Sequence, residues 1–240
     1  MNANLIEISP DELVAGTLAQ DKLSTLHQLF RKHGYVVVTN LVSRGVCAQL
    51  REAFIEDVAA IRRRSDLTPH EQRTAVGHLQ LGPRRYAPFV SRELVANNII
   101  ENVVLEILGS SAWLGFYSGN VNCPNSGHQP VHFDRPFAWQ SESEAHDAGQ
   151  LWPPPPITLS CSIALTDINE MSGATEIYPG THQETAVTQW PRGERPERHP
   201  DLLELWGPPQ RMCIPMGESV FEIHECGIVV YRMSHLNSVL

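Results

Sequence analysis

The sequence predicts an α+β protein in which helices come first and short β-strands follow. Up to Gly109, apolar residues recur at helical spacing. After Gly109, short strand-like runs such as "ITLSCSIAL" and "ESVFEI" are separated by Pro, Gly and Asn. Strands spaced in this way are typical of a sandwich or a jelly roll rather than of alternating βαβ units. The chain of 240 residues is long enough to bury one core of this kind.

The helical part is predicted to contain three helices and one buried strand. Each of the first two helices has an apolar stripe, and Gly34 ends the first of them. The run "YVVVT", residues 35–39, is rich in β-branched residues and predicts a buried strand between these helices. A third helix is predicted from a cap at Ser91 to a stop at Gly109, and the polar residues 62–88 are predicted to be irregular. The two stripes consist of Leu23, Leu26, Leu29 and Phe30, and of Val46, Leu50, Phe54, Val58 and Ile61.

Charge and composition exclude several classes of protein. The net charge of −9 argues against nucleic acid or an anionic membrane as a partner, because either requires a basic surface. The N-terminal "MNANLIEISPDEL" is acidic where a signal peptide carries Lys or Arg, and no apolar run is long enough to span a bilayer. The odd number of cysteines and the lack of a C-x-x-C pair predict reduced, mostly buried thiols in a cytoplasmic protein. The cysteines are Cys47, Cys123, Cys161, Cys213 and Cys226.

The stretch "GHQPVHFDRP", residues 127–136, contains a candidate pair of metal ligands, His132 and Asp134. In a strand, residues two apart point to the same face, so the imidazole and the carboxylate can converge on one ion. With a third ligand from elsewhere, they would form the facial triad that holds Fe(II) with open positions. The alternative is that His132 caps a strand and Asp134 starts a turn, because short motifs often match by chance.

A longer downstream stretch favours the metal site. "ITLSCSIALTDINEMSGATEIYPGTHQ", residues 157–183, resembles the phytanoyl-CoA dioxygenase family of Fe(II)/2-oxoglutarate oxygenases. In that family an "A-L-T-D" strand end, a turn with a central Gly and "A-T-E-x-x-P-G-S-H" recur, and Thr181 stands here in place of the Ser. Gln129 precedes the His-x-Asp as in fungal members of the family, and "HGYVVVTNLV" is similar too. The resemblance extends from about Leu23 to about Phe221.

The resemblance implies one domain over residues 1–240 with a double-stranded β-helix, the jelly-roll or cupin-like core of this family. Residues 1–110 would form a mainly helical cover packed on the core, residues 111–221 the core, and residues 222–240 an atypical tail. The resemblance implies oxidation of a C–H bond in a small organic substrate of the secondary-metabolite class. The cofactor would be Fe(II), and the cosubstrates would be 2-oxoglutarate and O2. A homodimer, or a heterodimer with a related oxygenase, stays open.

The resemblance also implies roles for individual residues. His132 and Asp134 would be iron ligands, and Gln129 and Thr175 would contact 2-oxoglutarate, although each of these two can equally be a structural polar group. Four further side chains are candidates for the wall of the substrate pocket, and for them the commoner alternative is a solvated arginine or a core aromatic residue. These four are Arg84, Arg85, Tyr117 and Trp139.

The C-terminal tail departs from the family. A segment resembling "D-P-R-x-W-H-R-G-x-x-N" would supply the distal histidine ligand and an arginine for the distal carboxylate of 2-oxoglutarate, but the chain reads "EIHECGIVVYRMSHLNSVL" after Phe221. His224 and Arg232 are the candidates to replace the two missing residues. In a strand, His224 would point to the same side as the third iron ligand of the family. It comes two strand repeats earlier in the sequence than the expected position of that ligand. A small displacement of a site residue is costly in catalysis.

A shifted reading frame accounts for this departure. When the codons from Glu222 onward are read from the last base of the Phe221 codon, "EIHECGIVV" can encode Arg-Asp-Pro-Arg-Val-Trp-His-Arg-Gly. The hypothesis is a sequence error, a mis-called intron or a mutation near Glu222. Two other readings stay open: a catalytically degenerate homologue that acts as a non-catalytic subunit of an active oxygenase, and a module that binds a small acid or a metal without turnover.

Overall fold

A computed structural model describes residues 4–64, 66, 78–82, 84–122, 141–152, 156, 158–169, 172, 175–183, 210–211, 219–224 and 229–234. These residues form helices and strands in the mixed α and β arrangement that the sequence predicts. The helices are α1 (Pro10–Ala15), α2 (Gln20–His33), α3 (Arg44–Arg62), α4 (Arg92–Val95), α5 (Asn98–Leu108) and α6 (Glu142–Asp147). The strands are β1 (Leu5–Glu7), β2 (Tyr35–Thr39), β3 (His78–Leu81), β4 (Leu114–Asn122), β5 (Thr158–Ala164), β6 (Glu176–Ile177), β7 (Gln210–Arg211), β8 (Ser219–His224) and β9 (Val229–Ser234).

The first two predicted helices and the strand between them are confirmed as α2, β2 and α3. Gly34 ends α2 in the left-handed region at φ 78°, and its backbone N–H donates to the carbonyl oxygen of Phe30. At the start of α3 the side chain of Ser43 accepts a hydrogen bond from the backbone N–H of Val46.

The prediction of a single third helix is wrong in one respect, because the segment is divided into the two helices α4 and α5. The side chain of Asn97 accepts hydrogen bonds from the backbone N–H groups of Ile99 and Ile100, at 2.9 and 3.2 Å, and so starts a new helix. Ser91 precedes α4 but makes no side-chain capping bond. The short strand β3 also lies within the segment that was predicted to be irregular.

Seven strands form the main sheet in the order β1-β2-β8-β5-β9-β4-β3. The pairs β2–β8, β8–β5 and β4–β3 are antiparallel, whereas β1–β2, β5–β9 and β9–β4 are parallel. Strands β6 and β7 form a separate antiparallel pair. The strand β9 therefore lies between β5 and β4 and joins the two parts of the main sheet.

One face of the main sheet packs against the helices. Residues that alternate along β2 and β5 enter the same buried cluster as the apolar stripes of α2, α3 and α5. On β4, Gly119 lies directly under the ring of Phe54 from α3, and the ring of Phe54 meets Phe89 edge to face at 5.1 Å. The strand residues of this cluster include Val36, Val38, Leu79, Leu81, Val121, Leu159, Cys161 and Ile163.

The opposite face is polar at its centre and apolar at one end. Ser118 and Asn120 of β4, and Thr158, Ser160 and Ser162 of β5, alternate with the residues that face the helices. We call these five residues the polar face. At the end near β2, a second buried cluster is covered by Ile177 of β6. The buried members of that cluster are Tyr35, Val37, Ala164 and Ile168.

The strand β8, which overlaps the start of the tail, and the strand β9, which lies within it, show the same alternation of apolar and polar residues as β5. The odd-numbered residues of β8 and β9 that are in register with Leu159, Cys161 and Ile163 are mostly apolar, and the even-numbered ones are mostly polar. A register shift of one residue would reverse this match, so the hydrophobic pattern favours the observed pairing. The odd-numbered set includes Phe221, Ile223, Tyr231 and Met233, and the even-numbered set includes Glu222, His224, Arg232 and Ser234.

Two of the five cysteines lie in the described part of the chain. Cys47 and Cys161 are free and buried, as predicted. Burial, together with the charge of Glu93, raises the pKa of the Cys47 thiol to about 11, so this thiol is protonated and unreactive at neutral pH. The other three cysteines lie outside the described residues. Within the described residues, no helix has the length and apolar character needed to cross a membrane.

Candidate functional site

Most of the predicted iron site lies outside the described residues. This applies to Gln129, His132 and Asp134, and also to the pocket candidate Trp139. In the part of the chain that the structure describes, no group of three or more His, Cys, Asp or Glu residues could hold a metal ion. The assignment of His132 and Asp134 as metal ligands therefore stays a prediction.

Thr175 is the predicted 2-oxoglutarate contact that the structure describes. It is half-buried and directly precedes β6. Ile177, two residues later, packs against the second buried cluster of the main sheet, and residues two apart in an extended segment share one side. Thr175 therefore belongs to the side of this segment that faces the main sheet.

The loop after β6 is fixed to the end of α2. The backbone N–H of Gly180 donates to the carbonyl oxygen of His33 at 3.0 Å, and the side chain of Thr181 donates to the carbonyl oxygen of Tyr178 at 2.8 Å. Gly180 has φ 86°, a conformation that glycine adopts without strain. The ring of His182 lies against Gly34, where an added Cβ would be 2.6 Å from it. These contacts fix the segment that follows Thr175 to the end of α2 and to the second buried cluster near β2.

Ser118 is the most deeply buried residue of the polar face. Its side chain is 1% exposed, and its Oγ has no hydrogen-bond partner among the described residues. Ser118 and the half-buried Ser162 are both in register with position 232 of β9. They therefore lie at one level of the sheet, two strand spacings or about 10 Å apart.

The tail residues His224 and Arg232 occupy register positions in the rows of this face. His224 ends β8 opposite Thr158. Arg232 is the register partner of both Ser118 and Ser162. At neighbouring register positions Glu222 lies opposite Ser160, and Val220 lies opposite Ser162.

Two of the pocket candidates, Tyr117 and Arg84, make contacts that fit the alternative role of a core aromatic residue and of a surface arginine. The hydroxyl of Tyr117 donates to the carbonyl oxygen of Phe89 at 2.5 Å, and burial raises the pKa of Tyr117 well above its usual range. Arg84 donates from Nη2 to the carboxylate of Asp57 at 2.5 Å and from Nη1 to the hydroxyl of Tyr86 at 2.8 Å. Tyr117 is thus tied to the helical side of β4, and the exposed Arg84 is tied to α3. Arg85 is also exposed.

The polar face was missed at the level of the sequence. Its signal is present in "FYSGNVN" and "TLSCSIA", where small polar residues alternate with residues that enter the main core. The second signal is the unpartnered hydroxyl of Ser118, and this can be recognised only from the folded structure.

Known proteins resemble this chain over most of its length. The profile of the family described as phytanoyl-CoA dioxygenase (PhyH) matches residues 30–221. A protein named ectoine dioxygenase from Bordetella bronchiseptica is 26% identical over 170 residues, which are 69% of this chain and 52% of that protein. The same values are found for the ectoine dioxygenase of Bordetella parapertussis. The chain thus spans about half the length of the curated relatives it matches.

A solved structure supports the similarity of fold. The crystal structure of EctD from S. alaskensis with 2-oxoglutarate and 5-hydroxyectoine matches with a TM-score of 0.53 and 17% sequence identity. The match covers 89% of this chain and 72% of that chain. The family match ends at residue 221, which is where the sequence resemblance was expected to end.

Proposed function

Because the chain belongs to the phytanoyl-CoA dioxygenase (PhyH) family, we propose that it is a non-haem Fe(II)/2-oxoglutarate-dependent dioxygenase. The observation that carries this proposal is the family match over residues 30–221, which includes the His-x-Asp pair and Thr175. When bound, the iron and 2-oxoglutarate supply O2-dependent oxidation of a substrate C–H bond, coupled to formation of succinate. The chain supplies the ligands, the orientation of the acids and a shielded chamber.

In this proposal His132 and Asp134 hold the iron, and Gln129 and Thr175 contact 2-oxoglutarate. The placement of Thr175 on the side of β6 that faces the main sheet supports its role. The main sheet would be one of the two sheets of a double-stranded β-helix within a single domain, and the pair β6–β7 would belong to the second. A cytoplasmic location and a dimer stay predictions.

The substrate class is a further part of the proposal. The curated relatives are named ectoine dioxygenases. We therefore propose a small polar organic substrate, with ectoine as the first compound to test and other secondary metabolites after it. Release of succinate that depends on the added compound would identify it.

An anaerobic titration with Fe(II) and 2-oxoglutarate tests the metal site. The purified chain is expected to develop the weak visible charge-transfer band of the iron chelate. His132→Ala and Asp134→Ala should abolish the band, whereas the matched control His27→Ala should not, because His27 is half-exposed on α2 and interacts with Glu106. A wild-type chain without the band would instead indicate a degenerate homologue, and co-purification with an active oxygenase would then test the role of a non-catalytic subunit.

The tail determines whether the site is complete. As written, the third ligand and the carboxylate partner would be His224 and Arg232. In the shifted frame, the last base of the Arg232 codon and the first two bases of Met233 can encode the Asn that ends "D-P-R-x-W-H-R-G-x-x-N". Sequencing of the transcript tests the hypothesis of a shifted frame, and codons that cannot supply this segment would refute it. If the frame is shifted, a frame-restored chain should bind Fe(II) and 2-oxoglutarate more tightly than the chain as written.

A further inference from the structure

The turn between α2 and β2 leaves no space for a side chain at Gly34. A Cβ added to Gly34 would lie 2.6 Å from both Cγ and Nδ1 of His182, and 2.7 Å from its Cβ. A different rotamer of His182 would move Cγ and Nδ1 away, but Cβ is fixed to the backbone and would stay. An alanine at position 34 would therefore displace the backbone of the segment that contains His182.

The same segment makes two further contacts with the residues around Gly34. The backbone N–H of Gly180 donates to the carbonyl oxygen of His33 at 3.0 Å. Ile177 packs against the second buried cluster, to which two residues of β2 belong. We call these two contacts, together with the contact between Gly34 and His182, the α2–β2 clamp. The clamp fixes residues 177–182 against the end of α2 and the strand that follows it.

The clamp lies close in the chain to the proposed contact with 2-oxoglutarate. Thr175 is half-buried and lies two residues before Ile177. The ladder of its own strand is short, because β6 and β7 pair at two positions. The position of Thr175 relative to the main sheet therefore depends on contacts outside this ladder, and the clamp supplies such contacts.

We propose that Gly34 is a positioning residue for 2-oxoglutarate: it admits His182 against the end of α2 and so holds Thr175 where it can contact the acid. This inference deepens the proposed function and rests on it. Gly34 and His182 act through the backbone of the segment and do not themselves touch the acid. A hydroxyl must lie within about 3 Å of the oxygen with which it forms a hydrogen bond, so a shift of about 1 Å is enough to lose the contact.

The test compares Gly34→Ala with a matched control, Gly109→Ala. Gly109 follows α5 with φ 81°, close to the 78° of Gly34, but a Cβ added there would meet nothing within 4 Å. Both variants force alanine into the left-handed region and should lower the Tm. Only Gly34→Ala also displaces the segment with His182.

The readout is an anaerobic titration of the Fe(II)-loaded chain with 2-oxoglutarate, followed by the charge-transfer band at a temperature well below either Tm. Gly34→Ala is expected to weaken the binding of 2-oxoglutarate by about ten- to a hundredfold. Gly109→Ala should bind it as the wild type does. Equal affinities of the wild type and Gly34→Ala would overturn the proposal.

Two substitutions of His182 keep the test decisive if Gly34→Ala does not fold. His182→Ala removes the ring and retains only the Cβ. His182→Asn also retains Cγ and places an atom of its amide near the position of Nδ1, so it keeps the atoms that lie closest to Gly34. His182→Ala should weaken the binding of 2-oxoglutarate, and His182→Asn should restore most of it. Wild-type affinity in His182→Ala would contradict the proposal.

Calorimetric titration with Mn(II) alone distinguishes positioning from a general loosening of the fold. Gly34→Ala should bind Mn(II) as the wild type does, because the predicted metal ligands His132 and Asp134 lie in another part of the sequence. Parallel losses of affinity for Mn(II) and 2-oxoglutarate would overturn the proposal.

Hydrogen exchange of the Gly180 amide reports on the clamp without any ligand. This amide donates to His33, so its exchange should become faster in Gly34→Ala and stay as in the wild type in Gly109→Ala. An unchanged rate in Gly34→Ala would show that the segment has not moved, and the proposal would fail.

The titration of the wild type separates this proposal from the proposed function. If the wild type binds 2-oxoglutarate with Fe(II), and Gly34→Ala binds it equally well, only the positioning role of Gly34 fails. If the wild type shows no metal-dependent binding of 2-oxoglutarate, the proposed function fails and this inference fails with it. Faster exchange at Gly180 in Gly34→Ala would then assign the clamp to stability alone.

Discussion

Two buried polar groups, Glu12 on the helical side and Ser118 on the polar face of the main sheet, differ in how their hydrogen-bonding capacity is satisfied. On the helical side, the carboxylate of Glu12 accepts hydrogen bonds from the backbone N–H groups of Ser9 and Ala19, from the Ser9 hydroxyl and from Lys22. On the polar face, the hydroxyl of Ser118 is more deeply buried and has no partner among the described residues. The hydrogen bonds to Glu12 therefore stabilise the fold, whereas the unpartnered hydroxyl of Ser118 lowers its stability, as does the buried Oγ of Ser91 before α4.

Two adjacent residues of β4 show the same contrast at short range. Gly119 leaves no space for a Cβ, because the ring of Phe54 would be 2.5 Å from it. Ser118 next to it has a hydroxyl that packing alone does not require. Sites at which a local rule is broken are where functional constraints are expected, because stability alone would remove the defect.

Removal of Phe54 should have the largest effect on the helical side. Its side chain is 1% exposed and contacts Phe89 and Gly119, so Phe54→Ala leaves a cavity at the centre of the contact between α3 and the sheet. We expect the free energy of unfolding to fall by about 3–5 kcal/mol, as measured by urea denaturation. The control Leu105→Ala removes an apolar side chain that is 42% exposed and should cost much less. Equal losses for the two variants would contradict the assignment of this face as the main core.

Glu12→Gln should have a smaller effect that depends on pH. Burial alone would raise the pKa of the Glu12 carboxyl, but the hydrogen bonds from Lys22, Ala19 and Ser9 outweigh it and lower the pKa to about 2. A lowered pKa means that the folded state favours the charged form. The contribution to stability is therefore complete above the unfolded value of 4.5 and is lost as the pH falls toward 2. At pH 7 the variant should lose about 2–3 kcal/mol.

Denaturation curves between pH 7 and pH 2 test this dependence. The stability of Glu12→Gln and of the wild type should converge as the pH falls, because the wild-type carboxyl becomes protonated. Glu7→Gln is the control, since Glu7 is an exposed acid on the neighbouring strand β1. A constant difference between Glu12→Gln and the wild type at every pH would show that the charge of Glu12 is not the cause.

The sequence was sufficient to predict the elements whose signal is local. The apolar stripes and the stop at Gly34 identified α2 and α3, and the β-branched run identified β2, because these features depend on residues close together in the chain. The break between α4 and α5 was missed because Asn97 can be recognised as a cap only when its bonds are known. The strand β3 was missed because it is short and depends on pairing with β4.

For the candidate site, the sequence predicted only the residues that belong to recognised motifs. The His-x-Asp pair and Thr175 were found through the resemblance to the family, and their roles stay predictions. Ser118 could not be found in this way. Its importance comes from burial and from the lack of a partner, and both depend on strands that are distant in the sequence. Pairing of β9 between β5 and β4 was unexpected for the same reason.

Gly119→Ala should have the smallest of the three effects on stability, after Phe54→Ala and Glu12→Gln. The added Cβ would meet the ring of Phe54, which must then shift against Phe89, so we expect a loss of about 1–3 kcal/mol in urea denaturation. A double-mutant cycle with Phe54→Ala isolates this clash. Once the ring is removed, Gly119→Ala should cost little, because the new methyl group enters the space that the ring left. A cost that persists without Phe54 would show that the backbone of β4 at Gly119, rather than its contact with α3, requires the glycine.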